Sequence, residues 1–209
     1  TPTEEKVLAD GLKIFVTAEA YNGNFLDDSR PEFGEISAVE KADLLCNSDR
    51  NKPDERNYKA LFVDGIDRDA VSLTNWVLKS NSTYYLPYKE KVFDNTGEAD
   101  DFIYVDVEIA TTNSLAIFPF ELATLNNRIS EKRPLSGRPL RSENFVYTGV
   151  SDESNFAADG LHNCENWSTD EPELFTYSGT IYSTNSDAIK SSLLLSCDFK
   201  ASLYCVEQE

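Results

Sequence analysis

A chain of 209 residues, 40% hydrophobic and 27% charged, is long enough to bury a substantial core and has the composition of a globular domain. Its formal net charge of −18, from 37 acidic and 19 basic residues, argues against a nucleic-acid partner and against charge-driven docking on an anionic lipid surface. The same field favours basic partners, and no apolar run approaches the roughly 20 residues that cross a bilayer as a helix.

Residues 1–11 read as a polar lead-in, with the folded domain expected over 12–209. Residues 12–18 (LKIFVTA) alternate apolar and polar positions with β-branched members, the pattern of a first strand, and YNGN at 21–24 is a turn signal. A helical pattern follows over 37–46, where Val39, Ala42 and Cys46 share a face. Ser37 is its expected N-cap, followed by a Lys rather than a well-placed Glu, so no capping box is expected. Residues 58–64 (YKALFVD) read as a strand closed by Gly65. Residues 69–79 (DAVSLTNWVLK) read as a second helix burying Val71 or Leu73, Trp76 and Val77.

Beyond that helix, YYLPY places Tyr84, Tyr85 and Tyr88 in a Pro-containing loop, and 94–106 reads as acidic and irregular. Pro119 makes 115–120 an edge strand or a turn, and 126–143 is a long, comparatively basic loop. Short strands are expected at 145–149, near 180–183, at 193–197 and at 203–206. Early helices and late short strands make an α+β pattern with long loops, rather than the alternation of a doubly wound sheet.

Four cysteines, Cys46, Cys164, Cys197 and Cys205, form no C-x-x-C pair, and His162 is the single histidine, so no zinc site is expected. Their even number and wide spacing read as two disulfides formed outside the cytoplasm, with three pairings open from spacing alone. With no Met in the chain, Thr1 is not expected to be a translation start, which leaves room for a signal peptide or a lipidated N-terminal anchor upstream.

Candidate sites divide between chemistry and plain structure. Asp64, Asp67 and Asp69 have the composition of a calcium cluster, but their Gly is misplaced for an EF-hand, and a solvated turn is the expectation. Glu98, Asp100 and Asp101 read as a solvated loop, and Glu171-Pro172-Glu173 is out of order for a lectin calcium loop. His162 beside Cys164 suggests a nucleophilic pair only if the thiol is free. Trp76 and Trp167 read as core, whereas Tyr84, Tyr85 and Tyr88 are the candidates for exposed contact. No catalytic motif, metal site or cofactor-binding loop is recognised, and the chain is not expected to be an enzyme.

Several segments carry a resemblance. Cys164–Thr169 (CENWST), Ser191–Leu194 (SSLL), Ser196-Cys197 and Leu203–Glu207 (LYCVE) resemble, in that order, the endostatin end of collagen types XV and XVIII. The FVYTGVSD stretch at 145–152 is similar to an endostatin strand that ends in a turn. KIFVTAE at 13–19, the segment 36–46, NKP at 51–53, YKALFVDG at 58–65, NWVL at 75–78 and CVEQ at 205–208 resemble a narrower group, the leptospiral endostatin-like (Len) outer-membrane proteins. Residues 94–141 carry little of it, and no N-terminal histidines stand where endostatin binds zinc.

The resemblance implies a C-type-lectin-like (endostatin-like) domain with two helices, small twisted, mostly antiparallel sheets, long loops and nested disulfides Cys46–Cys205 and Cys164–Cys197. It implies a surface-exposed or secreted bacterial adhesin whose partners are host matrix proteins (laminin, fibronectin), plasminogen and complement factor H. The readings from other classes are a calcium-dependent carbohydrate-binding module and an envelope structural or hydrolytic protein without a host partner.

Overall fold

The computed structural model describes residues 11–27, 36–93, 99–130 and 144–208, with the side chains of 89–93 and 99–104 outside that description. The elements are, in chain order, β1 (Leu12–Val16), α1 (Ala38–Ser48), β2 (Asn57–Ala60), β3 (Thr83–Phe93), β4 (Ala99–Thr111), β5 (Phe145–Tyr147), α2 (Cys164–Trp167), β6 (Phe175–Thr180), β7 (Leu194–Ser196) and β8 (Tyr204–Gln208). It is a mixed α+β architecture with two helical elements, two sheets and two disulfides.

The alternation read in the first strand organises the main sheet, whose order is β2-β8-β1-β3-β4. The first and last strands are antiparallel neighbours, with Ile14 opposite Val206, and β1 pairs in parallel with β3. Because side chains alternate across a strand, Ile14 and Val16 face one core with Tyr84, Leu86, Tyr204 and Val206, joined by Leu61, Phe118, Val146 and Phe156. Phe15 and Cys205 face the opposite core with Tyr58, Ala60 and Phe62, beneath α1. The smaller sheet, β5-β6-β7, contributes to both: Phe145, Tyr147 and Leu195 join the core under α1, and Val146 joins the other.

Helix α1 buries Val39, Ala42 and Cys46 together, as their spacing predicts. Its N-terminus corrects one expectation, because it does carry a capping box. Ser37 Oγ accepts from the Glu40 N–H at 3.2 Å, and the Glu40 carboxylate accepts from the Ser37 N–H at 3.0 Å. The Ser-x-x-Glu spacing satisfies two orphan donors reciprocally.

The second helix expected over 69–79 does not form. That segment is a run of turns closed by an Asp69–Thr74 bridge, with Leu73 and Asn75 at positive φ and Val71 and Leu73 exposed. Short polar side chains take the backbone donors instead. Asp64 Oδ1 accepts from the N–H groups of Ile66, Asp67 and Arg68, each at 2.9 Å, and the Asp69 carboxylate accepts from Val71 and Ser72. Arg68 then turns inward, and Val77 and Leu78 bury the end of the segment.

The stretches read as a tyrosine-bearing loop and an irregular acidic segment are instead strands β3 and β4, paired as one long antiparallel ladder that sets Pro87 opposite Asp106. The positions 105–109 (VDVEI) alternate with period two, which overrides the acidic composition. The strand expected near 180–183 lies earlier, at β6, and 115–120 takes the turn alternative. Most of the 126–143 loop, residues 131–143, lies outside the described residues.

The disulfides pair Cys46 with Cys205, joining α1 to β8, and Cys164 with Cys197 inside that loop, with sequence separations of 159 and 33. The inner bridge holds an unusual element. All four residues of α2 have φ between 50° and 63°, a left-handed turn that L-residues enter at about 1–2 kcal/mol each. It is pinned from several sides: Asn163 Oδ1 accepts from the Asn166 N–H at 3.1 Å, Cys164 is bridged, and Trp167 is buried against Phe25 and Phe62. Such strain persists where the surroundings over-determine it.

Candidate binding surface

The tyrosines proposed for contact separate. Tyr84 is fully buried, its ring edge-on to Phe118 at 5.9 Å and its Oη accepting from the Lys79 N–H at 2.8 Å, which removes it from any exposed surface. The reason is the strand: Tyr84 falls on the core face of β3, and Tyr85, on the opposite face, lies half-buried against Gly11. Tyr88 is 36% exposed where β3 leaves the core.

The nucleophilic pair does not assemble, because Cys164 is bridged to Cys197 and cannot present a thiolate. His162 turns to Asp159 instead, with Nδ1 and Oδ2 2.7 Å apart. Desolvation pushes the Asp159 carboxyl up, but hydrogen bonds from the His162 ring and from the backbone N–H groups of Leu161 and His162 leave it below the usual range. Asp64 is buried and spent on the 66–68 backbone. Among the described residues no group of three or more His, Cys, Asp or Glu side chains could hold a metal ion. Glu98 and the side chains of Asp100 and Asp101 lie outside the described residues. Trp167 is buried and donates from Nε1 to the Val63 carbonyl at 3.3 Å, and half-buried Trp76 donates to the Ala116 carbonyl.

Two clefts are lined by described residues. A cleft lined by Tyr21, Asn24, Phe25, Asp27 and Lys200 holds about 210 Å³, and another beside Phe118 and Phe120 about 130 Å³. Pockets that enclose drug-sized ligands run from about 300 Å³ upward, so these two clefts give a small molecule little purchase.

Several of the described cations are already engaged. Lys13 Nζ lies 2.7 Å from Asp54, Lys41 Nζ donates to the Leu26 carbonyl at 2.9 Å, Arg56 pairs with Glu207, and fully buried Arg68 makes a two-pronged contact with Asp43. Lys13 and Arg68 are buried, and their charges are matched there by Asp54 and Asp43.

One outward face combines acid with apolar area. Phe175 and Tyr177 on β6 lie beside Leu194 on β7, with Tyr177 opposite Leu194 and Phe175 opposite Ser196. Phe175 is 43% exposed, Leu193 44% and Leu194 37%. The His162 ring meets Tyr177 edge-on at 5.3 Å and extends this face beyond β6, on the side away from β7. Glu173 and Asp198 flank it, the latter accepting from Ser196 Oγ, while Lys190 reaches over Tyr177 and pairs with Glu153 at 3.3 Å. Neither Phe175 nor the two leucines were singled out from sequence. The LLL run at 193–195 signals a strand, and only the register shows that Leu195 points in while Leu194 points out.

A family model described as "Protein of unknown function (DUF1554)" matches residues 30–187, more than half of the chain. No curated protein matches it.

Proposed function

The chain belongs to the DUF1554 family of proteins of unknown function, and we propose that it is an exported, disulfide-stapled binding protein of the adhesin type, engaging basic surfaces of extracellular-matrix and serum proteins. The observation that carries this reading is the charge balance: a net charge of −18, from 37 acidic against 19 basic residues. Such a field accelerates encounter with basic patches and rejects acidic ones. Both disulfides support a location outside the cytoplasm, on the bacterial surface or secreted. No helix among the described residues is long and apolar enough to cross a membrane.

The proposed fold is the endostatin-like variant of the C-type-lectin-like domain. Support comes from the nested bridges, which the resemblance of the C-terminal segments to endostatin implies. That resemblance, and the likeness to the leptospiral outer-membrane group, nominate laminin, fibronectin, plasminogen and factor H as partners.

The test is capture from human serum and solubilised matrix on beads carrying the non-reduced protein, with and without chelator and at rising salt. Chelator-resistant capture of one of these proteins, weakening as salt shortens the screening length from about 10 Å at 0.1 M, is the expected result. Capture only with calcium would replace this reading with the carbohydrate-binding one, and capture of nothing would refute it.

A further inference from the structure

We propose that the outward face of β6 and β7 is the docking surface, and that it takes a protein surface in which basic residues ring an apolar protrusion. This deepens the binding reading above and rests on it. The face has the anatomy of an interface: an apolar centre and a charged rim. Phe175, Leu193 and Leu194 are each more than one third exposed and lie together around the Phe175–Ser196 and Tyr177–Leu194 pairs. Single exposed apolar residues are ordinary, whereas a cluster on one face marks contact.

The rim specifies the occupant. Exposed Glu173 stands two residues before Phe175, Asp198 accepts from Ser196 opposite Phe175, Asp159 holds the His162 ring beside Tyr177, and Lys190, over Tyr177, is already paired with Glu153. An acidic partner, a phosphate backbone or an anionic membrane would meet uncompensated like charge there. A second copy of this chain would set acid against acid. A basic protein surface would neutralise the rim while its apolar protrusion covers Phe175 and Leu194.

The face is also pre-organised, which lowers the ordering cost of binding. Cys164–Cys197 joins its two flanks, the 162–164 segment beside β6 and the 196–198 turn after β7. The Tyr177 N–H donates to the His162 carbonyl, so the histidine edge moves with the strand.

The experiment measures binding of the full chain to immobilised laminin, fibronectin, plasminogen and factor H. Two paired variants, Phe175→Ser/Leu194→Ser and Glu173→Lys/Asp198→Lys, are compared with a control, Val71→Ser/Leu73→Ser, that removes still more exposed apolar residues from the 69–75 turns. Unchanged thermal unfolding certifies each fold. The apolar pair is expected to weaken binding about tenfold or more, mainly through faster dissociation. The charge pair should slow association and flatten its salt dependence, while the control binds like wild type. Heparin added in solution should compete by covering the basic partner. Wild-type binding that both face variants retain overturns this assignment and leaves the binding reading intact, and wild-type failure to bind any of the four overturns both.

Discussion

Removing Arg68 should expose how much the 64–75 turns depend on one buried charge. Arg68 is 0% exposed. Its guanidinium meets both Asp43 carboxylate oxygens at 2.7 and 2.9 Å, donates to the carbonyls of Ala60 and Asn75, and lies 5.3 Å from the Phe62 ring centroid. Asp43 in turn accepts from the Ala60 N–H at 2.9 Å, so a single ion pair joins α1, the end of β2 and the turns. Arg68→Met keeps most of the volume but strands the Asp43 carboxylate and two carbonyls. Breaking a buried pair from one side costs about 3–5 kcal/mol. At about 2–4 °C per kcal/mol for a chain of this length, the Tm should fall by roughly 10 °C. Circular dichroism of the non-reduced protein through thermal and urea unfolding reads both quantities. The double variant Arg68→Met/Asp43→Leu removes both charges and should recover part of the loss, leaving mainly the unpaired backbone groups. If Arg68→Met costs less than about 1 kcal/mol, the value of an exposed pair, the reasoning that this contact holds the turns in place is refuted.

Loop closure predicts that Cys46→Ala/Cys205→Ala destabilises more than Cys164→Ala/Cys197→Ala, since the bridges close separations of 159 and 33. The chain-entropy estimate gives upper bounds of about 5 and 4 kcal/mol, and urea midpoints in the reverse order would contradict it. Acid should unfold the protein only below about pH 4. Asp152 is held below its ordinary 3.8 by hydrogen bonds from Ser154, and Glu40 below 4.5 by those from Ser37. Desolvation pushes Asp54, Asp69 and Asp159 up, but donors including Lys13, Ser72 and His162 hold each below 3.8. Depressed carboxylates contribute stability that is present above the unfolded pKa and lost as pH falls through the folded one. A Tm that starts to drop near pH 6 would point away from these groups. Gly149 sits at φ +65°, where an added Cβ would come within 2.3 Å of the Val63 carbonyl oxygen. Gly149→Ala should therefore cost about 2 kcal/mol or more in the same urea assay, and a neutral result would show that Val63 can yield.

What the sequence made legible follows the range of the interactions. Strand β1, helix α1 and strand β8 were readable because their periodicities are local and agree with the cores they enter. The capping box was equally local, spelled Ser37-Ala38-Val39-Glu40, and reading the Lys beyond it hid the Glu in place. The 69–79 segment has helical periodicity, but Asp64 and Asp69 divert its backbone donors and Arg68 is drawn to a partner 25 positions away. The β3–β4 ladder was obscured by Pro87 and by acidic residues that a strand tolerates at its exposed positions. The candidate surface was the least readable part. Whether Tyr84 or Phe175 faces solvent depends on strand register, and a shift of one residue would exchange the faces.

The two bridges divide labour in a way that links stability to binding. Cys46–Cys205 joins α1 to the last strand of the main sheet, within the core under that helix, and its loss should be felt through the whole fold. Cys164–Cys197 restrains the left-handed turn at 164–167 and the turn after β7, the two segments that flank Phe175 and Leu194. With that bridge cut, the turn keeps the Asn163 cap on Asn166 and the buried Trp167 but loses the link that ties Cys164 to the end of β7. Loss of the inner bridge should therefore act first on the candidate face: a protein still folded at 25 °C, with Tyr177 and His162 no longer held in register beside Leu194. The strained turn then has a physical role, as the element that converts a covalent link in the core into a fixed edge of the candidate face.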